Sequence, residues 1–193
     1  MIRGLKLPHH RKRLTSRTKG DLLRLARILK MNHGEGYFDT TLLPWFPAIW
    51  TDAMKDFRVA GWGWCCENGC FDFGEYGRTD SRRMIDDLEG DAVLRAIRSM
   101  GPALENHRVI IYIDNSAFQL SLKKGWSKAA RMTEIIKQLH ELSVTYNCIF
   151  VPIWISTHDN IGADALSRSD LTRFTEWARN KLNGTPHRYG QGH

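Results

Sequence analysis

The sequence predicts one α/β domain, a mixed five-stranded sheet flanked by helices on both faces. Three observations predict it. Residues 48–76 hold three short strand-like runs joined by tight turns, residues 108–113 form a nearly uninterrupted apolar run, and helix-period segments separate and follow these strands. A chain of 193 residues, 42% apolar, is long enough for one sizeable core with an appended helix and too short for two full domains.

The first 19 residues carry Arg3, Lys6, Arg11, Lys12, Arg13, Arg17 and Lys19 and no acid. Self-repulsion keeps such a block extended, whether it grips phosphates, serves as a nuclear address or is a solvated leader. From Asp21, the residues Leu22, Leu25, Ala26 and Leu29 follow helical spacing, with Asn32, His33 and Gly34 as the stop. Pro44 and Pro47 mark 43–50 as a linker into the main domain. Strands are predicted over 48–53, 59–67 and 70–76. Asn68-Gly69 makes the hairpin turn between the last two, because both residues tolerate positive φ.

A helix over 81–100 comes next, with Ile85, Leu88, Ala92, Val93 and Ala96 on one face and Gly101-Pro102 ending it. The apolar run over 108–113 has the pattern of a central strand buried on both sides. One helix starts near Ser116, and another spans 128–146 with Met132, Ile135, Ile136, Leu139 and Leu142 turned inward. A last strand covers 148–155, and 164–182 is mostly helical. The predicted organisation is a basic arm, helix and linker over 1–46, the main domain over 47–183, and a flexible tail over 184–193.

Lysine and arginine number 28 against 21 acids, and the formal charge of +7 favours a polyanionic partner, nucleic acid first. Cys65, Cys66, Cys70 and Cys148 show neither a spaced disulfide framework nor a complete zinc ligand set, so they are expected to be reduced, buried thiols. The amino terminus lacks a secretory apolar core, and no run approaches the roughly 20 apolar residues of a membrane helix. The expected location is intracellular, cytoplasmic or nuclear. Trp62 and Trp64 alternate with Gly61 and Gly63, which suits a packed strand face or close backbone approach and not a phosphate-binding loop.

Four acids stand where such a fold can bring them together. Asp52 lies on the first strand, Glu89 in the first long helix, Asp114 at the end of the central strand, and Asp164 at the start of the last helix. Hard divalent cations prefer oxygen ligands, and Mg2+ keeps several waters beside one or two carboxylates per ion. Two ions about 3.5–4 Å apart can activate a water and stabilise the leaving oxygen of a phosphodiester. Taken singly, each acid is better explained structurally, as a strand end, a solvated helix face or a helix cap. Asp87 and Asp91 are close rivals to Glu89.

The surroundings of the acids separate these explanations. Trp50-Thr51-Asp52-Ala53, Gly61-Trp62-Gly63, Glu89 with Ala92 and Ala96, Asp114-Asn115-Ser116-Ala117, and Asp159-Asn160-Ile161-Gly162-Ala163-Asp164-Ala165-Leu166-Ser167-Arg168 occur in that order. This set resembles the ribonuclease H domains of retroelement reverse transcriptases, over about residues 47–169. Lys123-Lys124-Gly125 after the third acid's helix gives it a DIRS-type appearance. The resemblance implies a ribonuclease H-like fold and a metal-dependent endonuclease that hydrolyses the RNA strand of RNA–DNA hybrids. It makes Asp52, Glu89, Asp114 and Asp164 the catalytic, metal-binding acids of a site holding two Mg2+, for which Mn2+ can substitute. It also implies that His158, six residues before Asp164, assists turnover and product release; an ordinary loop histidine is the alternative.

A hybrid duplex is recognised through backbone shape and 2′-hydroxyls, so little sequence specificity is expected. Asn115 is a candidate for a sugar or backbone contact, or a helix cap. Lys123, Lys124, Lys128 and Arg131 surround Trp126, a combination suited to phosphates and to stacking, or to a solvated cationic helix end. Tyr112-Ile113-Asp114-Asn115 departs from the polymerase box Tyr-x-Asp-Asp at its fourth residue, and the chain is too short for a complete polymerase. The amino-terminal helix is similar to the connection that precedes the nuclease in such polyproteins, which makes a reverse transcriptase polymerase domain or a larger nucleoprotein assembly a candidate partner. Two alternatives stay open: a catalytically silent nucleic-acid-binding or scaffold module, and a nuclease of the same fold acting on DNA.

Overall fold

The computed structural model describes residues 13–31 and 43–190, which fall into two units. The first contains helix α1 (Ser16–Met31). It begins five residues before Asp21 because the Thr15 hydroxyl oxygen caps it, accepting the Thr18 N–H at 3.1 Å. Arg17 and Lys19, expected in an extended arm, are therefore helical. Residues 1–12 of the basic arm and the stop at 32–34 lie outside the described residues.

The second unit runs β1 (Trp45–Lys55), β2 (Ala60–Cys66), β3 (Cys70–Glu75), α2 (Ile85–Met100), β4 (Arg108–Ile113), α3 (Ser116–Lys124), α4 (Ala130–Thr145), β5 (Ile149–Trp154), α5 (Ile161–Ser167), α6 (Leu171–Lys181) and β6 (His187–Arg188). The strands form one sheet in the order β5-β4-β1-β2-β3-β6. β1, β2 and β3 pair antiparallel, whereas β4 joins β1, and β5 joins β4, in parallel. The α/β mixed architecture is as predicted, with helices on both faces.

The differences have local causes. The strand expected at 48 begins at Trp45, inside the expected linker. Arg108 holds this stretch: its N–H donates to Pro44 O at 2.8 Å, its Nε to Leu43 O at 2.9 Å, and its guanidinium lies 4.1 Å from the Trp45 ring. Pro47, which has no N–H to give, sits where the register against β4 shifts between Phe46 and Ile49. At the hairpin only Gly69 of the pair takes positive φ, +97°. The sheet has six strands because His187 and Arg188, in the expected tail, pair with Cys70 and Phe71. Arg188 Nε donates to Asp72 at 2.9 Å, which fixes that pairing.

The helix expected over 164–182 is two helices. Ser169 takes φ +58°, ending α5, and the Asp170 carboxylate caps α6 by accepting the Arg173 N–H at 3.0 Å. Asp164 falls in the first turn of α5, which begins at Ile161, and the last helix is the separate α6. On β4, Val109, Ile111 and Ile113 are fully buried while Ile110 and Tyr112 are only partly covered, a one-sided burial in place of the expected two-sided one.

Alternation along β2 divides the core. Trp64 packs with Val93 and Ile97 of α2 and Ile136 and Leu139 of α4, while Cys65 faces Leu166 of α5 and Phe174 and Trp177 of α6. Cys65, Cys66 and Cys148 are buried free thiols. Gly61 and Gly63 face α5 at a distance no side chain allows: a Cβ on Gly63 would lie 2.5 Å from Leu166 Cβ and from Ser167 N. Gly63→Ala should therefore cost about 1–3 kcal/mol through forced repacking of α5. Gly77→Ala, with nothing within 4 Å of its added Cβ, should change stability by no more than about 0.5 kcal/mol. Urea denaturation of the two variants checks this; equal stabilities would mean that α5 is free to move off the sheet.

Candidate active site

Strand pairing and helix packing together assemble the acids. β1 and β4 are parallel with Thr51 opposite Ile113, so the next residue of each strand, Asp52 and Asp114, emerges at the same end of the sheet. Helix α2 packs across β1 and delivers Glu89 to that point. One carboxylate oxygen from each of Asp52, Glu89 and Asp114 lies within 4.8 Å of the others. The two rivals in α2 are elsewhere: Asp91 is paired with Arg95 at 2.7 Å, and neither it nor buried Asp87 joins the group.

The three carboxylates sit at unfavourable potentials. Burial, with the charges of Asp114 and Asp164 adding to it, pushes Asp52 up to about 7 against a hydrogen bond from Ser167. Glu89 rises well above the usual carboxylate range, first from burial and then from the charges of Asp52 and Asp114; the Ala53 N–H opposes this. Asp114 is raised by burial, with Thr157 pulling the other way. Glu89 Oε2 and Asp114 Oδ1 are buried with no hydrogen-bond partner among the described residues. Unpartnered, crowded, buried oxygen donors are what a divalent cation neutralises and coordinates, so the residues fit a metal ion.

The loop after β5 braces Asp114. Thr157 Oγ1 donates to its Oδ2 at 3.1 Å, and Trp154 Nε1 donates to its backbone oxygen at 3.0 Å. Asn160, completely buried, donates from Nδ2 to Thr51 O at 3.0 Å and also hydrogen-bonds Asp114, which ties the α5 end to the β1–β4 seam. His158 is exposed in this same loop. Asp164 stands beside the cluster without entering it: its Oδ1 accepts Arg168 Nε at 2.7 Å and its Oδ2 accepts Arg173 Nη1 at 2.5 Å.

Comparison with known proteins agrees with this architecture. The sequence matches no protein-family model and no curated protein. Among solved structures, RNase H1 from the halophilic archaeon Halobacterium salinarum NRC-1 superposes with a TM-score of 0.55 at 16% identity, over 65% of this chain and 97% of that one. An N-terminal RNase H domain from Mycobacterium tuberculosis gives 0.53 at 13% identity, over 69% and 99%. LC11-RNase H1, solved with an RNA/DNA hybrid, gives 0.52 at 18% identity, over 66% and 98%. The fold is ribonuclease H-like.

Within this ribonuclease H-like fold, the candidate substrate residues occupy α3, its cap, the segment between α3 and α4, and the first turn of α4. Asn115 is the α3 cap, its Oδ1 accepting Phe118 N–H at 2.9 Å while its Nδ2 donates to Asp86 Oδ1 at 2.8 Å. Lys123, Lys124, Trp126, Lys128 and Arg131 are all exposed along 123–131, a continuous basic segment around one indole ring. The sequence reading passed over Asn160, Thr157 and Arg173. Asn160 and Arg168 were visible inside the last motif, but nothing in local spacing points nine residues ahead from Asp164 to Arg173.

A pH test follows from the raised carboxyls. Asp52 titrates in the fold near 7 and in the unfolded chain near 3.8. Its protonated form is the one the fold favours, so that stability is fully present below pH 3.8 and lost as pH rises through about 7. Asp52→Asn removes the loss. In chelator, the variant should be more stable than the parent by about 2–4 kcal/mol at pH 8, with the gap closing toward pH 4. Urea denaturation across pH measures it, and a less stable variant at pH 8 would contradict the crowding described above.

Proposed function

We propose that the chain is a metal-dependent endoribonuclease that hydrolyses the RNA strand of RNA–DNA hybrids, and that it derives from a retroelement reverse transcriptase of the DIRS type. The observation that carries this is the group of three acids from β1, α2 and the end of β4, Asp52 and Glu89 buried and Asp114 half-buried, with two unpartnered oxygens, in a ribonuclease H-like fold. LC11-RNase H1, of the same fold, is known bound to an RNA/DNA hybrid, and the charge of +7 suits a polyanionic substrate.

Asp52, Glu89 and Asp114 would hold the metal, Mg2+ or Mn2+. When bound, a pair of such ions supplies an activated water and stabilises the leaving oxygen of the phosphodiester. The protein's own residues set the geometry. Thr157 and Asn160 orient Asp114, and Asn160 couples that carboxylate to the strand carrying Asp52. His158, adjacent to Thr157 and exposed, would assist turnover and product release. Lys123, Lys124, Lys128 and Arg131 would contact phosphates and Trp126 a sugar or base. Both Asn115 side-chain atoms are already engaged within the protein, so its part is to set the start of α3 next to Asp114.

The test is incubation of the protein with Mg2+ and an end-labelled RNA–DNA hybrid, beside a chelated sample and Asp114→Asn. Metal-dependent cutting of the RNA strand alone is expected, absent from both controls. Thr157→Ala should lose about 10–100-fold, the usual effect of removing a partner that orients a ligand. Hybrid that is bound but left intact in Mg2+ and in Mn2+ would identify a silent binding module, and equal cleavage of duplex DNA would identify a DNA nuclease.

A further inference from the structure

We infer that Cys70 and Cys66 form a redox-active dithiol, separate from the acid cluster: Cys70 exchanges with small-molecule disulfides, Cys66 resolves the adduct, and His187 accepts the Cys70 proton. The register of the β2–β3 hairpin places the two sulfurs. Cys65 is opposite Phe71, so the next residues toward the turn, Cys66 and Cys70, face each other and share one side of the sheet. Tyr76 N–H donates to Ala60 O at 2.8 Å, and stepping by two from that pair makes 66 and 70 a hydrogen-bonded pair. Such a pair holds its Cα atoms about 5.5 Å apart, inside the range of roughly 4.4–6.8 Å that a disulfide spans. Cys66 lies in the core with Trp64, Cys70 packs against that core, and both thiols are free. On β1, Cys66 stands opposite Ile49, whereas Asp52 stands opposite Gly63.

His187 of β6 reaches this pair from the neighbouring strand. Its Nδ1 lies 3.1 Å from Thr185 O, and a carbonyl oxygen only accepts, so Nδ1 carries the ring proton. Nε2 keeps its lone pair and accepts the Cys70 S–H at 3.0 Å. A thiol held on an oriented imidazole is the arrangement that releases a nucleophilic thiolate. Cys70 is partly exposed and Cys66 fully buried, so a reagent meets Cys70 first. Burial raises both thiols, Cys66 to about 12, and Asn68 opposes it at each, through its N–H at the Cys66 sulfur and its side chain at the Cys70 sulfur. One turn residue thus touches both sulfurs. Cys65 faces the other side of the sheet against Leu166 and Phe174, and Cys148 is buried.

Cys70 Sγ passes its proton to His187 Nε2 and attacks one sulfur of a low-molecular-weight disulfide. The reagent's S–S bond breaks, a mixed disulfide forms on Cys70, and the leaving thiolate takes the proton from His187. Cys66 Sγ then attacks Cys70 Sγ, forming the Cys66–Cys70 bond and expelling a second thiolate, which takes the Cys66 proton. Two protein thiols lose two electrons, one reagent disulfide is reduced to two thiols, and no other co-reactant enters. The product no longer offers His187 an S–H, so β6 loses that tie, while Arg188 on Asp72 and the Tyr189 N–H on Phe71 O remain.

The experiment exposes the folded full chain to oxidised glutathione near neutral pH. Acid quenching, capping of the remaining thiols with N-ethylmaleimide under denaturing conditions, intact mass and peptide mapping then account for all four cysteines, with fragmentation separating Cys65 from Cys66. The parent should lose two cappable thiols, retain no glutathione and show a Cys66–Cys70 crosslink. Cys66→Ser and Cys66→Ala should each stop at one glutathione on Cys70, and Cys70→Ser should take up none. His187→Gln should slow the first step by about tenfold or more, less than the full contribution of a positioned base because free thiolate supplies a background rate. A His187 that merely covers the sulfur predicts the reverse, a faster reaction once it is removed.

Four results would each overturn the proposal: a parent chain left unmodified where the urea-unfolded chain reacts fully, a stable glutathione adduct on Cys70 of the parent, modification first at Cys65 or Cys148, and equal or faster reaction of His187→Gln. Thermal unfolding verifies that each variant is folded. Should the Cys66 variants not fold, the peptide map of the parent still distinguishes crosslink, adduct and free thiols. None of these readouts involves nucleic acid or a metal, so the dithiol stands or falls apart from the nuclease reading.

Discussion

The parallel pairing of β1 with β4 is the constraint on which the rest depends. β1, like β3 farther along the sheet, has an antiparallel neighbour on one side and a parallel neighbour on the other. The antiparallel side needs only tight connections, so β2 and β3 follow directly. The parallel side needs a crossover long enough to return the chain to the starting end of the sheet, and a helix laid over the sheet is the economical form. α2 is that helix. The requirement that closes the topology thus places Glu89 over the strand ends where Asp52 and Asp114 emerge together.

That convergence works against stability. Three carboxylates in a water-poor seam repel one another and lose hydration, and two of their oxygens find no protein donor among the described residues. The surroundings limit the cost without removing it. Thr157, Asn160, Ser167 and the Ala53 N–H each reach one of the acids, and the neighbouring Asp164 is neutralised by arginine. Hydrophobic packing of α2 and α4 against Trp64, Ile111 and Ile113 holds the acids in place. Strain concentrated at one edge of an otherwise well-packed fold is the usual mark of a working site, where function and not folding sets the residue choice.

Legibility followed the range of the interactions. The apolar run of β4, the turn at Gly69 and the inward stripe of α2 depend on neighbours within a few residues, and their periodicity shows in the sequence. The acids are legible because each sits within a recognisable neighbourhood; Glu89 is separated from Asp87 and Asp91 only by the frame with Ala92 and Ala96 that the family resemblance supplies. Long-range causes were invisible. β1 extends through Pro47 because Arg108, sixty residues on, grips its start. β6 exists because Arg188 finds Asp72. Asp170 is a cap that pattern can suggest, yet the left-handed turn at Ser169, a residue with no special liking for it, is not.

The two sheet faces also differ in how they are built, and the difference bears on the site. On the α2 face, large side chains fill the gap between helix and sheet, so modest changes in side-chain volume can be absorbed by repacking. On the α5 face, Gly61 and Gly63 let helix backbone rest almost on strand backbone, leaving no adjustable layer between them. Asn160, Asp164, Ser167 and Arg168 all belong to α5 or its caps. Their positions relative to Asp52 are consequently set by main-chain contact at Gly61 and Gly63 together with the packing of Leu166 in the cluster of Cys65, Phe174 and Trp177. A helix that must hold Arg168 and Arg173 on Asp164 beside the acid cluster, with the attraction between opposite charges pulling them inward, requires that rigidity.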